Sequence, residues 1–116
     1  MNLLEELKNL GVNVDEGVER LMGNASLYER MLFKFLDMMK KSTVNPDFDS
    51  DNYGDVIEVA HAIKGSAGNL SVTPIYEAYA EVVRLLRAGQ PEQAKEILKN
   101  IQPVQEEILN CIEKYV

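Results

Sequence analysis

Apolar residues recur every three or four positions along nearly the whole chain, and this spacing restricts the fold more than any other feature. Such a period places apolar side chains on one face of an α-helix. The first stripe lies in residues 3–10 and ends at Gly11, a residue type that readily closes a helix in the left-handed conformation. No run of alternating polar and apolar residues is long enough for a strand. The chain is therefore predicted to be all-α.

Capping residues near the amino terminus predict two further helices. A short one is expected between a cap at Asp15 and a stop at Gly23. Its predicted inward-facing residues are Val18, Leu21 and Met22. A longer helix follows and runs to about residue 41, with Asn24 or Ser26 as its cap.

Proline and glycine mark the helices of the second half. One helix is predicted over about residues 53–71. Thr73 as the cap, with proline at the first helical position, opens the next helix, which runs to about residue 88. The last helix starts near Pro91, and Pro103 inside it predicts a kink or a break into two helices.

Four longer helices joined by short turns favour an antiparallel up-down four-helix bundle, with the short amino-terminal helices covering one end. We expect one domain over residues 1–116, with residues 1–23 as a helical cap and residues 24–116 as the bundle. Residues 42–52 are rich in turn formers and predict the main loop, from which Phe48 tucks back onto the core. The five methionines are interpreted as gap fillers of the core, and a methionine-rich recognition groove is the alternative.

The single histidine of the chain, His61, is predicted to face solvent. At about 100° per residue, Lys64 and the two nearby glycines fall within roughly 60° of it. The apolar residues of the same helix cluster on the opposite side; these are Val56, Val59, Ile63, Ala67 and Leu70. A neutral imidazole left open to a partner is a potential nucleophile, and this points to a phosphoryl carrier.

The residues around His61 suit that chemistry. Lys64, three positions on, is a helix-surface neighbour whose ammonium group can compensate the charge of a phosphoryl group. Gly65 and Gly68 each cost about 1 kcal/mol relative to alanine inside a helix, and close approach by a partner explains both. Ile57 projects to the same side and is a candidate for an apolar docking rim. A solvated lysine and close helix packing at the glycines are the structural alternatives.

The run His61-Ala62-Ile63-Lys64-Gly65-Ser66-Ala67-Gly68 resembles the signature of histidine-containing phosphotransfer (HPt) domains, in which His-x-x-Lys-Gly precedes a small residue three positions on. The likeness covers roughly residues 12–110. It includes Ala60 before the histidine, Gly54-Asp55 before the helix and Gly89-Gln90-Pro91 between the last two helices. Many members carry a Gly-Ala pair and later a Leu-Glu pair. Here Ser71-Val72 and Ala80-Glu81 stand near those places, which concern packing and partner choice.

The resemblance implies a phosphorelay carrier that exchanges a phosphoryl group between His61 and the aspartate of response-regulator receiver domains. It implies receiver domains or a hybrid sensor histidine kinase as partners, with Mg²⁺ held by the receiver and no cofactor of the chain's own. The sequence has no second histidine, no glycine-rich phosphate loop and no nucleotide motif. We therefore expect a monomeric carrier and not an autonomous enzyme.

Two other classes of function compete with this reading. Glu58 and His61 form a Glu-x-x-His unit, which carboxylate di-metal sites use in pairs within a bundle core. Only one unit exists and its histidine is predicted to face outward, so we expect no metal site. The second alternative is an HPt-like interaction module that carries no phosphate, against which the intact His61, Lys64 and Gly65 argue.

Composition excludes further classes. The net charge is −7, with 19 acidic and 12 basic residues, which disfavours nucleic acid and anionic membranes as partners. No apolar run reaches membrane-spanning length, and the first eight residues lack the features of a signal peptide. Cys111 is the only cysteine, so the chain has no internal disulfide bond and we expect a reducing, cytoplasmic compartment. We expect Cys111 itself to be a buried apolar residue of the last helix.

Overall fold

The stretches of helical periodicity fold into six α-helices, and no strand is present. The computed structural model describes residues 1–116. The helices are α1 (Leu3–Asn9), α2 (Val14–Arg20), α3 (Ala25–Lys41), α4 (Gly54–Asn69), α5 (Thr73–Arg87) and α6 (Pro91–Glu113). Helices α3 to α6 form the bundle, and the short turns from α4 to α5 and from α5 to α6 make these neighbours antiparallel. The all-α prediction is confirmed. None of the helices is both long enough and apolar enough to cross a membrane.

One continuous cluster of buried apolar side chains extends from Leu3 in α1 to Ile112 in α6, so the short amino-terminal helices share the core of the bundle. Phe48 of the loop joins this cluster, as predicted. Cys111 is buried as well, and its burial raises the pKa of its thiol. Met39 is buried, and Met31 and Met38 are partly buried and pack against the core. Met1 and Met22 are exposed, so the interpretation of the methionines as core fillers is wrong for these two.

Two buried tyrosines connect the helices through their hydroxyl groups. The Tyr28 hydroxyl donates to the Leu70 carbonyl oxygen at 2.6 Å, and the Tyr79 hydroxyl donates to Gln105 Oε1 at 3.0 Å. Burial raises the pKa of both phenols, so they stay neutral donors. The first bond ties α3 to the carboxyl end of α4, and the second ties α5 to α6.

Helix α4 ends in a left-handed residue that is not glycine. Ser71 has φ +54°, and its N–H donates to the Gly68 carbonyl while the Val72 N–H donates to the Ala67 carbonyl at 2.9 Å. This pair of bonds is the Schellman ending of a helix. The same ending closes α1, where Gly11 has φ +91° as predicted. Ser71 Oγ also donates to Glu16 Oε1 at 2.9 Å, which links α2 to the end of α4.

Gly17 lets α2 approach that same end closely. A Cβ atom added at Gly17 would lie 2.7 Å from Tyr28 Cζ and 2.9 Å from the Leu70 carbonyl oxygen. Real Cβ atoms do not approach other atoms so closely, and Gly17 is buried. The Asn13 N–H adds a bond to the Ser71 carbonyl at 3.0 Å. Helix α2 is therefore held directly on the junction between α4 and α5.

Several predicted helix ends in the first half need correction. The cap of α2 is Asn13, whose Oδ1 accepts from the Glu16 N–H, whereas Asp15 lies within the first turn and pairs with Lys8 at 3.0 Å. Met22 was expected to face inward and is 97% exposed, because the chain turns at this residue with φ +59°. Of the two caps considered for α3, Asn24 is the observed one.

In the second half, the predicted cap of α5 and the predicted break of α6 into two helices are also wrong, whereas a kink at Pro103 stays a prediction. Thr73 is the first helical residue of α5 rather than its cap, and its hydroxyl donates to the Ser71 carbonyl. Helix α6 runs unbroken through Pro103, which is exposed. Proline removes one backbone donor from a helix, and buried Leu98 and Ile108 hold the helix against the core on either side.

Replacing Gly17 by alanine is expected to destabilise the protein by about 1–3 kcal/mol, because the added methyl group forces Tyr28 or α2 to move. Gly65→Ala is the matched control. Its Cβ would meet nothing within 4 Å, so its higher helix propensity should stabilise the fold by up to about 1 kcal/mol. Urea unfolding of both variants measures the two signs. Equal stability of Gly17→Ala and the wild type would contradict the close packing of α2.

Candidate functional site

His61 lies in the middle of α4, a helix of 16 residues, and its side chain is exposed. It takes part in no side-chain hydrogen bond. No ion pair involves it either. Both ring nitrogens are therefore available to a molecule that approaches from solvent. The predicted position and exposure of His61 are confirmed.

The opposite face of α4 explains why the histidine points outward. Ala60, Ile63 and Ala67 are completely buried, and Leu70 is nearly so. These residues recur every three or four positions and share one face, which leaves the face of His61 to solvent. The predicted apolar face is confirmed, although Val56 and Val59 at its edge are only half-buried.

Lys64 lines an open, polar groove between α4, α2 and α5. The groove has a volume of about 470 Å³, and its charged lining residues are Glu16, Arg20, Lys64 and Glu77. Arg20 is paired with Glu16 at 3.0 Å, and no ion pair involves Lys64. The hydrogen bonds from Ser71 and Arg20 lower the pKa of Glu16, so it stays charged and holds Arg20. Lys64 is thus the unpaired cation of the groove.

The two glycines of the motif lie in different surroundings. A Cβ atom at Gly65 would meet nothing within 4 Å, so the backbone there is bare, as predicted. A Cβ atom at Gly68 would lie 2.9 Å from Tyr76 Cδ1 and 3.0 Å from Tyr76 Cε1. The expectation of a bare surface at Gly68 is wrong, because the ring of Tyr76 from the first turns of α5 covers it. A role of Gly68 in docking stays a prediction.

Ile57 is half-buried and packs against the core, so it is not the freely exposed apolar residue that was expected. It precedes Lys64 by seven residues, about two turns, and therefore lies on the same strip of α4. Lys64 is also half-buried. Other parts of the bundle cover this strip in part. A helical wheel of α4 alone does not include them, so it overestimates the exposure of Ile57.

A second groove, which corresponds to the alternative interpretation of the methionines, lies between α3 and α4. Met31, Met38, Phe35 and Ser66 line it, and its volume is about 210 Å³. Ser66 Oγ donates to Met38 Sδ at 3.4 Å across it. We call it the methionine groove. The spacing of seven between the two methionines is the signal that places them on one strip of α3.

No group of three or more His, Cys, Asp or Glu side chains is arranged to hold a metal ion. Glu58, the carboxylate of the Glu-x-x-His unit, is exposed like His61. The unit therefore stands alone on the surface of α4. The chemistry that this surface offers is an open imidazole beside an unpaired ammonium group.

The sequence profile of the Hpt domain matches residues 4–115. This chain belongs to the Hpt domain family. Hpt domains serve histidine phosphotransfer in two-component systems, as carriers rather than catalysts, and they work with response-regulator and kinase partners. Neither a search of curated proteins nor a search of solved structures finds a match to the chain.

In this Hpt domain the open imidazole of His61 should react readily with diethyl pyrocarbonate in the folded protein, because nothing covers the ring or binds its nitrogens. Mass spectrometry of the intact protein and of its peptides should find one rapid carbethoxyl adduct, located on α4. His61→Gln is the control and should lack that adduct. Protection of the ring until the protein is unfolded would contradict the exposure described above.

Proposed function

We propose that this Hpt domain is a phosphorelay carrier that accepts a phosphoryl group on His61 and passes it on. The donor and acceptor are aspartates of receiver domains in response regulators or hybrid kinases. One observation carries the proposal. The single histidine of this Hpt-family chain is exposed, and an unpaired lysine lies one helical turn away from it.

The proposed transfer needs little from the carrier. An imidazole nitrogen of neutral His61 attacks the phosphorus atom of the aspartyl phosphate, and the bond from phosphorus to the aspartate oxygen breaks as the new N–P bond forms. The receiver's aspartate leaves as a carboxylate, and the other ring nitrogen keeps its proton. We assign the attack to Nε2, which lies farther from the backbone than Nδ1 and is the easier atom for a partner to reach.

Charge neutralisation and positioning drive phosphoryl transfer of this kind. Lys64 supports the proposal because its ammonium group is unpaired and lies one helical turn from His61. It would balance part of the charge of the phosphorylated imidazole. Gly65 supports it by leaving bare backbone beside the ring, where a loop of the receiver can approach. Mg²⁺ bound by the receiver would neutralise the phosphoryl oxygens from the other side.

His61→Gln should fold like the wild type, since substitutions at exposed sites change stability by less than about 0.5 kcal/mol. It should take no phosphate from a phosphorylated receiver in the presence of Mg²⁺, because the chain has no other histidine. Radiolabel transfer followed on gels measures this, with receiver binding as the control for folding. Full labelling of His61→Gln would sink the proposal. Receiver binding without labelling of the wild type would favour the interaction module instead.

Lys64→Ala is expected to slow the transfer roughly 10-fold, the equivalent of losing one charge-assisted hydrogen bond. It should also shorten the lifetime of the phosphorylated histidine, while receiver binding changes little. Lys99→Ala on α6 is the matched control, because it removes the same charge from an exposed lysine without an ion pair. Equal transfer rates for the two variants would remove Lys64 from the site.

A further inference from the structure

We propose that Tyr76 is an energetically important contact residue of the receiver-binding face, and that Gly68 leaves the space in which its ring packs. This inference rests on the proposed function, because the occupant of the face is the receiver domain that exchanges phosphate with His61. It assigns a role to a residue outside the His-x-x-Lys-Gly motif and gives the second glycine a physical reason.

The contact between Gly68 and Tyr76 joins α4 to α5. A Cβ atom added at Gly68 would lie only 2.9 Å from Tyr76 Cδ1 and 3.0 Å from Tyr76 Cε1, so the ring packs into space that a side chain at this position would need. Any larger residue at this position displaces the ring. Tyr76 is at the same time 38% exposed, so the ring packs beside Gly68 and still presents surface to a partner. A ring held in this way loses little side-chain entropy when a partner covers it.

The hydroxyl group of Tyr76 is free, as is that of Tyr53, which packs against the core. The hydroxyls of Tyr28, Tyr79 and Tyr115 all donate hydrogen bonds within the chain. The hydroxyl of Tyr76 makes none, although Tyr76 is among the residues that line the polar groove with Lys64. An exposed aromatic ring with a free hydroxyl is the kind of side chain that is enriched among the energetically important residues of protein interfaces.

Distance places Tyr76 inside any receiver footprint that is centred on His61. Gly68 follows His61 by seven residues, which is roughly 10 Å along the helix axis. A protein partner of ordinary size covers about 800 Å² on each side, equivalent to a disc of roughly 16 Å radius. A receiver that brings its aspartate to the imidazole therefore also covers the ring on Gly68.

The test uses a receiver domain phosphorylated with acetyl phosphate in the presence of Mg²⁺, selected from a panel as the one that labels the wild-type protein fastest. Tyr76→Ala should weaken receiver binding about 10-fold, the loss expected for a residue worth more than 1 kcal/mol. Gly68→Ala should weaken it less, by moving the ring. In the Tyr76→Ala background, Gly68→Ala should add nothing further, because no ring is left to displace.

Gly65→Ala is the matched control for the pair, since it adds the same methyl group to the same face without touching Tyr76. Its effect on receiver binding should add to that of Tyr76→Ala. Phosphoramidate, a small donor that needs no docking face, should label His61 equally in Tyr76→Ala and in the wild type. Tyr76→Gln removes the ring but keeps a long side chain, and provides the same test if the alanine variant is unstable.

Three outcomes would overturn the inference. The first is that both Tyr76→Ala and Tyr76→Gln bind the receiver as tightly as the wild type, and the second is that the effects of Gly68→Ala and Tyr76→Ala on binding are additive. The third is that phosphoramidate labels Tyr76→Ala more slowly than the wild type. The last would mean that Tyr76 acts on the imidazole and not on the partner. A wild-type protein that accepts phosphate from no receiver is a different result, because it contradicts the proposed function itself.

Discussion

One-sided burial of α4 is the constraint on which the rest of the structure depends. Ala60 and Ala67 are small and completely buried, so they let α4 pack closely against the rest of the bundle. With 3.6 residues per turn, burying these alanines together with Ile63 leaves His61 and Gly65 on the outer surface. The reactive group therefore sits on a rigid helix at the surface, and a 116-residue bundle needs no internal cavity to present it.

Contacts from three other elements meet at the carboxyl end of α4. The hydroxyl of Tyr28 binds the Leu70 carbonyl, Gly17 lets α2 rest against both, and Ser71 turns the chain into α5. A left-handed conformation costs a non-glycine residue about 1–2 kcal/mol, and the bond from Ser71 to Glu16 offsets part of that cost. The positive φ of Ser71 is one that glycine adopts without this cost. These ties fix the angle between α4 and α5, and with it the groove beside Lys64.

The sequence predicts what depends on a single helix and misses what depends on a neighbour. The helical pattern placed His61 at the middle of an exposed face, and its buried counterpart Ile63 opposite. Caps were misassigned because Asp15 and Asn13 are both good capping residues, and the choice between them depends on how α2 packs on Ser71. The cover on Gly68 was missed for the same reason, since the ring above it comes from another helix. No spacing within α4 contains that information.

The central claim is that one nitrogen of one histidine carries the phosphoryl group, and ¹⁵N NMR of the phosphorylated protein tests it most directly. A uniformly ¹⁵N-labelled sample is phosphorylated by a phosphorylated receiver with Mg²⁺, and the coupling between phosphorus and nitrogen is recorded. We expect a single base-stable, acid-labile phosphate coupled to Nε2 of His61. Phosphate on any other residue, or an imidazole that stays unmodified with every receiver tried, would contradict it.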